Sequence, residues 1–228
     1  PCGVSPMPSS DSSTVRVLHF VAGGSGSSLQ IAAELARDQR EAGAVQQRFE
    51  PLLVLRRKPS TDLDRVARLQ AAGLRVELIP GGNDWLSAWA LFRLCRRFRP
   101  QLLVAHGFPE HLLGRWVALL AGVPRLTHVS VLCRGDSAYA RTKRAGDAAV
   151  QAVAQGTGLI AHVLQPSLVL GEGGITSRQL EQLSRLPVWP LPAAMQRCQV
   201  QPLRVEDLAD ALVATLGAGL TQAQTKWD

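Results

Sequence analysis

Short apolar segments alternate with longer amphipathic ones along most of this 228-residue sequence, and this alternation limits the fold more than any other feature. Six apolar segments are predicted to be buried β-strands: 15–21, 51–56, 74–79, 101–106, 126–131 and 158–164. Because they are apolar on nearly every residue, they must be covered on both faces, as in a parallel sheet. With right-handed crossovers, the pattern predicts an α/β fold, a doubly wound, Rossmann-like parallel sheet in a single three-layer domain.

Both ends and one internal region depart from the alternation. Residues 1–14 are polar and lack the apolar core of a signal sequence, and they are predicted to be a disordered tail, as are residues 218–228. The region 171–203 is rich in glycine and proline and is predicted to be irregular. A last helix is expected from Val205 to Leu216.

Cysteine usage and charge narrow the functional classes. The four cysteines show no C-x-x-C spacing, so neither a metal site nor a disulfide scaffold is predicted, and a reducing cytoplasm is the expected location. The net charge of +7 suits nucleotide phosphates, nucleic acid or an anionic membrane, or it reflects solvated helix faces rich in arginine. No reader motif accompanies the charge, so nucleic acid is not an expected partner.

Three glycines directly follow the first strand and open a helix: Gly23, Gly24 and Gly26. Small residues let a backbone approach a phosphate, and a helix N-terminus offers free N–H groups to it. The spacing differs from G-x-G-x-x-G, and no acidic residue follows the second strand to hold a ribose. Arg56, Arg57 and Lys58 stand there instead, which suits the 2′-phosphate of NADP or a solvated turn. The predicted cofactor contacts are therefore the three glycines and Arg56.

The stretches VRVLHFVAGGSGSS, EPLLVLRRKP and AHGFPEHLLGRW resemble a known family. Over residues 15–129, the sequence is similar to the N-terminal domain of family 4 glycosyltransferases of the GT-B type. The resemblance implies a domain that binds mainly a sugar or lipid-linked acceptor, with His106 and His111 at the acceptor cleft. Histidines satisfied by backbone carbonyls are the alternative. The donor-binding domain of such enzymes does not follow, so this half alone is not expected to transfer sugar.

The segment DWLSAWALFRLCRRFRP combines aromatic residues with arginines at helical spacing. Asp84 is predicted to cap this helix. The aromatic stripe has two interpretations. In one it packs into the core with the arginines in solvent, and in the other the helix makes a peripheral contact with a membrane surface.

A candidate catalytic set lies in the second half of the sequence. Tyr139 and Lys143 are four residues apart on a predicted helix and therefore share one face, and Ser130 ends the preceding strand. A lysine at that spacing favours a phenolate and reaches a ribose hydroxyl. The tyrosine then acts as general acid and base, while a serine hydroxyl holds the substrate oxygen.

The stretches QPSLVLGEGG, LPVWPLP and QPLRVEDLADALVATL follow in order. Over about residues 128–217, the sequence resembles the latter part of extended or atypical short-chain dehydrogenases/reductases of the NAD-dependent epimerase/dehydratase type. The two resemblances divide the chain into a glycosyltransferase-like half, 15–129, and a dehydrogenase-like half, 130–217. The resemblance implies that Tyr139, Lys143 and Ser130 (or Ser137) are catalytic, and that Pro166 lies near a bound NAD or NADP.

The predicted function follows from these two resemblances. It is an NAD(P)-dependent oxidoreductase or epimerase that acts on a small molecule or sugar through a Tyr-Lys pair. Two alternatives remain at this stage: a glycosyltransferase-like acceptor-binding protein, and a nucleotide-binding hybrid without turnover. The sequence does not specify an oligomeric state.

Overall fold

The computed structural model describes residues 14–23, 27–42, 49–133, 135–171, 175–188 and 201–217. In chain order, the helices and strands are β1 (Val15–Val21), α1 (Ser27–Ala42), β2 (Phe49–Arg57), α2 (Leu63–Ala71), β3 (Val76–Pro80), α3 (Asp84–Phe98), β4 (Leu102–His106), α4 (Phe108–Ala121), β5 (Arg125–Val129), α5 (Ala138–Gln155), β6 (Ile160–Leu164), β7 (Leu168–Leu170), α6 (Ile175–Ser184), β8 (Pro202–Arg204) and α7 (Val205–Gly217). The predicted tails, apart from Thr14, lie outside the described residues. None of the described helices is both long and apolar enough to cross a membrane.

Six strands form one parallel sheet in the order β3-β2-β1-β4-β5-β6. The chain builds the sheet outward from β1 to β3, then returns to the middle and builds outward again from β4 to β6. The direction in which successive strands are added to the sheet therefore reverses between β1 and β4. The last residues of these two strands, Val21 and His106, pair in register. Open sheets of this kind bind ligands outside the carboxyl ends of the strands at that reversal. The predicted fold class is confirmed.

Helices cover both faces of the sheet, and alternate residues of β1 serve two different cores. Leu18 and Phe20 are fully buried on the face covered by α3 and α4. On the opposite face, Val17 packs in a cluster with Leu35 of α1 and Leu212 of α7. Successive side chains of a strand point to opposite faces, so a strand covered on both sides must be apolar throughout. This burial explains the continuous apolar runs of the sequence.

The sheet continues without a break across the predicted boundary between residues 129 and 130. β5 pairs with β4 on one side and with β6 on the other. Beyond β5, the Ser130 N–H donates to the Leu164 carbonyl at 2.8 Å, and the Leu132 N–H donates to the Pro166 carbonyl at 3.0 Å. The segments 15–129 and 130–217 therefore contribute strands to the same sheet.

The prediction that residues 171–203 are irregular is wrong in two places. Residues 175–184 form helix α6, and Pro202–Arg204 form β8, which pairs in parallel with β7. The helical segment ITSRQLEQLS contains neither glycine nor proline and is rich in glutamine, leucine, glutamate and arginine, which favour helices. The glycines before it and the prolines after it obscured this short helix.

The start of α3 also differs from the prediction that Asp84 is its N-cap. Asn83 caps the helix, because its side-chain oxygen accepts hydrogen bonds from the N–H groups of Trp85 at 2.8 Å and Leu86 at 3.3 Å. Asp84 is the first helical residue and pairs with Arg56. Asparagine and aspartate cap helices about equally well, so the sequence alone did not separate these neighbours.

Candidate functional site

Two glycines lie at the carboxyl ends of β1 and β4, where the strand order reverses and a ligand crevice is expected. Gly23 after β1 and Gly107 after β4 have φ of 126° and 104°, a backbone region that favours glycine. A Cβ placed on Gly23 would lie 3.3 Å from the Arg56 carbonyl oxygen, and one on Gly107 would lie 3.1 Å from Oε2 of Glu110. Both turns therefore favour glycine at these positions. The predicted contacts Gly24 and Gly26 lie outside the described residues.

Glu110 is a buried carboxylic acid in the first turn of α4, beside Gly107. Within the described residues, neither of its carboxylate oxygens has a hydrogen-bond partner. Burial raises the pKa of Glu110 to about 7, although its own backbone N–H and the positive charges of Arg56, Lys58 and Lys143 act in the opposite direction. The floor of the crevice thus holds an acid that changes its charge near neutral pH, with three cations around it.

Arg56 lies at the end of β2, where the sequence predicts a contact with a cofactor phosphate. Its side chain is buried, it pairs with Asp84, and it donates to the Gly81 carbonyl at 3.4 Å. These contacts connect the end of β2 to the start of α3 and to the turn before it. Lys58 is the cation nearer the glycine turn, because its Cδ would lie 3.8 Å from a Cβ on Gly23. In the sequence both cations stand at the end of the second strand, and only the structure shows that Arg56 pairs with Asp84 while Lys58 lies beside the glycine turn.

His106 belongs to a buried chain of hydrogen bonds between β4, β1 and α1. His19 Nε2 lies 2.9 Å from the Gln39 side-chain oxygen, and His19 Nδ1 lies 3.0 Å from His106 Nε2. Because an amide oxygen can only accept, His19 Nε2 donates a hydrogen bond to Gln39, and the unprotonated Nδ1 of a neutral His19 accepts one from His106 Nε2. Burial lowers the pKa of His19 to about 4, and burial with the neighbouring His19 and His128 lowers that of His106 well below its usual value. Both rings are therefore neutral at pH 7.

A second buried polar group joins β5, α4 and α5. His128 Nε2 lies 3.5 Å from Asp147 Oδ1, and Gln165 donates to the other carboxylate oxygen of Asp147 at 2.6 Å. Burial alone would raise the pKa of Asp147, but the neighbouring polar groups of His128, Ser130 and Gln165 lower it below its usual value. The ring of His111 packs 4.5 Å from that of His128. The predicted acceptor residue His111 is thus fully buried in the layer between helix and sheet.

The structure brings Tyr139 and Lys143 together on the first two turns of α5. The Lys143 ammonium lies 5.5 Å from the centroid of the Tyr139 ring, and Tyr139 is exposed. Asp147 follows four residues later on the same face, so the row descends from the exposed rim to the buried interior. Ser130 directly follows β5, and its buried hydroxyl has no hydrogen-bond partner within the described residues. Ser137 caps α5, because its Oγ accepts from the Ala140 N–H at 3.1 Å.

Pro166 is buried just beyond β6. Its carbonyl accepts from the Leu132 N–H, which extends the pairing of β5 and β6 towards the edge of the sheet that carries the crevice. Within the described residues, no group of histidine, cysteine, aspartate and glutamate side chains has the arrangement of a metal site.

Solved structures share this fold at low sequence identity. The chain is similar to a UDP-glucose 4-epimerase from Stenotrophomonas maltophila with bound NAD and formylated UDP-arabinopyranose, with a TM-score of 0.57, 15% identity, and coverage of 89% of this chain and 74% of that chain. It is also similar to the UDP-Glc/GlcNAc 4-epimerase of Campylobacter jejuni, with a TM-score of 0.56, 12% identity and the same coverages of 89% and 74%.

A short-chain dehydrogenase from Burkholderia cenocepacia in complex with NADP has a TM-score of 0.50 and 19% identity, over 89% of each chain. No family model matches the sequence, and no curated protein is significantly similar to it. The chain therefore has the Rossmann-like fold found in epimerases and short-chain dehydrogenases/reductases.

The substitution Glu110→Gln tests the buried acid. A folded-state pKa of about 7, against an ordinary 4.5, stabilises the fold fully below pH 4.5, and this stability is lost as the pH rises through 7. Glutamine cannot ionise, so we expect the variant to match the parent near pH 4.5 and to exceed it at pH 8 by up to about 3 kcal/mol. Urea unfolding from pH 4.5 to 8 measures this difference, with the exposed Glu181→Gln as control. Parallel stability curves for parent and Glu110→Gln would contradict the assignment.

Proposed function

We propose that the protein binds NAD or NADP in the crevice between β1 and β4 and acts as an oxidoreductase or epimerase of the short-chain dehydrogenase/reductase type. The observation that carries the proposal is the position of the Tyr139–Lys143 pair. α5 follows β5, so its first turns stand at the carboxyl edge of the sheet, the same edge as the reversal of strand order. A reactive hydroxyl and a dinucleotide crevice thus share one edge.

The residues of the crevice fit a dinucleotide. Gly23 and Gly107 allow tight turns at the ends of β1 and β4, so the first N–H groups of the helices that follow can face a pyrophosphate. α1 begins directly after the glycine loop and has no acidic residue in its first turn, so its N-terminus favours an anion. Lys58, beside Gly23, supplies positive charge for a phosphate. Lys143, beside Tyr139, would hold a hydroxyl of the nicotinamide ribose.

Each residue of the set has one chemical task. When bound, a nicotinamide exchanges a hydride with the carbon of an alcohol or carbonyl substrate. As the phenolate, Tyr139 takes the proton from the substrate hydroxyl during oxidation, and as the phenol it returns that proton to the substrate oxygen during reduction. The Lys143 ammonium, close to the ring of Tyr139, stabilises the negative charge that develops on the phenol oxygen. Asp147, one turn further in, keeps its negative charge within the same row.

The substrate class follows from this chemistry and from the basic crevice. A secondary alcohol or ketone on a small molecule or sugar satisfies the Tyr139 chemistry, and a phosphorylated sugar also suits the cations around Glu110. The glycosyltransferase-like alternative stays a prediction that no observation favours. Its two candidate residues, His106 and His111, are buried beneath the surface of the crevice.

Cofactor binding is the first test. We expect NADH or NADPH at 100 times its dissociation constant to stabilise the chain by about 2.7 kcal/mol, a shift of a few degrees in Tm. Gly23→Ala places a methyl group against the Arg56 carbonyl and is expected to abolish the shift. Gly82→Ala is the matched control, because a Cβ there has no neighbour within 4 Å. Absence of any shift in the parent, or an equal shift in Gly23→Ala, would refute binding at this loop.

Catalysis is tested by Tyr139→Phe, which removes only the hydroxyl. With a substrate found by screening alcohols, ketones and nucleotide sugars, we expect kcat to fall about 10²- to 10⁴-fold. The Tm shift caused by the cofactor should persist, since the phenol ring is kept. Gln151→Ala, exposed on the same helix, is the control and should retain activity. Undiminished turnover in Tyr139→Phe would show that another group moves the proton.

A further inference from the structure

Two neighbouring helices on one face of the sheet expose large apolar side chains. Trp85, Leu86 and Trp89 of α3 are exposed by 85%, 57% and 60%. On α4 the exposed apolar residues are Leu112, Trp116 and Leu120, at 38%, 52% and 72%. We call these six residues the aromatic face. The core-packing interpretation is wrong for Trp85 and Trp89, which are exposed, whereas Phe92 of the same helix packs against the core.

The helical spacing explains why these residues share a surface. Leu112, Trp116 and Leu120 recur every four residues along α4, and Trp85 and Trp89 do the same along α3. α3 and α4 pack against each other over the same face of the sheet, where their buried residues join one core cluster. The exposed stripes of the two helices therefore lie side by side on the solvent side of that layer.

Arginines extend the aromatic face. The exposed stripe of α3 continues from Trp89 to Arg93 and Arg96. Neither arginine has a carboxylate within 4 Å among the described residues. On α4, the Arg115 guanidinium lies 5.7 Å from the ring centroid of Trp116, but its Nε and Nη1 atoms are buried and do not add to the exposed charge. The surface thus combines tryptophan rings with the guanidinium groups of Arg93 and Arg96, which have no counter-charge among the described residues.

The acidic side chains of these two helices do not offset this charge. α3 carries Asp84, which is engaged by Arg56, and α4 carries Glu110, which is buried beneath the crevice. A partner for the aromatic face must therefore be anionic and must also accept apolar rings. Tryptophan favours the interface between water and lipid, arginine stems lie along apolar surface while the head group stays wet, and anionic lipids attract the charge.

From these observations we propose that the aromatic face binds the surface of an anionic membrane, with the tryptophan rings at the level of the lipid head groups and the arginines on lipid phosphates. The helices lie flat in the interface and remain part of the folded domain. The inference does not depend on the proposed enzymatic function, since none of its residues belongs to the crevice.

Cosedimentation of the full chain with vesicles tests this proposal. We expect binding to vesicles of phosphatidylcholine and phosphatidylserine in about a 70:30 ratio and weaker binding to pure phosphatidylcholine. Binding to the anionic vesicles should decrease when the salt concentration rises from about 50 to about 500 mM, because salt shortens the Debye length and screens the attraction between arginines and lipid phosphates. Trp85→Ser combined with Trp89→Ser, and separately Arg93→Gln combined with Arg96→Gln, should each weaken binding about tenfold.

The control is Leu183→Ser combined with Leu186→Ser, which removes exposed apolar side chains elsewhere on the chain. This variant should bind vesicles like the parent, and the Tm of every variant should stay close to that of the parent. Failure of the parent to sediment with anionic vesicles would overturn the proposal, as would unchanged binding by both test variants. Light scattering distinguishes the other occupant of the aromatic face. If the parent forms dimers and does not bind vesicles, and the tryptophan substitutions disrupt the dimers, the face binds a second copy of the chain instead.

Discussion

The parallel pairing of β1 with β4 is the constraint on which the rest of the site depends. It places Val21 opposite His106 and turns the chain away in opposite directions beyond them. Two helix N-termini, those of α1 and α4, therefore point at one crevice, and their unpaired N–H groups make it favourable to negative charge. Gly23 and Gly107 make the turns possible at the distances observed.

Buried polar groups connect this crevice to the interior of the sheet. Gln39, His19 and His106 form one hydrogen-bonded chain, and His128 and Asp147 belong to a second. In the first chain neutral rings pair with each other and with Gln39, whereas in the second the polar neighbours of Asp147 hold the pKa of its carboxyl below the usual value. Polar residues at these strand positions are thus compatible with a buried sheet, and they hold the layers of β1, β4 and β5 in fixed register.

The layered fold could be predicted from the sequence because the spacing of apolar residues within each segment distinguishes buried strands from amphipathic helices without knowledge of distant contacts. The helix that contains Tyr139 and Lys143 was also predicted, and in the structure it runs from Ala138 to Gln155. The site was predicted less completely. Glu110 was missed, because a glutamate in a first turn is ordinary on a helix surface, and only the tertiary structure buries it. Arg56 was placed at the correct strand end, but its pairing with Asp84 depends on a contact between distant segments.

Hydrogen–deuterium exchange of the full chain, with and without saturating NADPH or NADH, tests most directly the claim that the crevice at the strand reversal is the ligand site. With bound cofactor we expect slower exchange in three segments: the end of β1 with the start of α1, the turn from β4 into α4, and the first turns of α5. Protection confined to the opposite edge of the sheet, or unchanged exchange in all three segments at saturating cofactor, would contradict it.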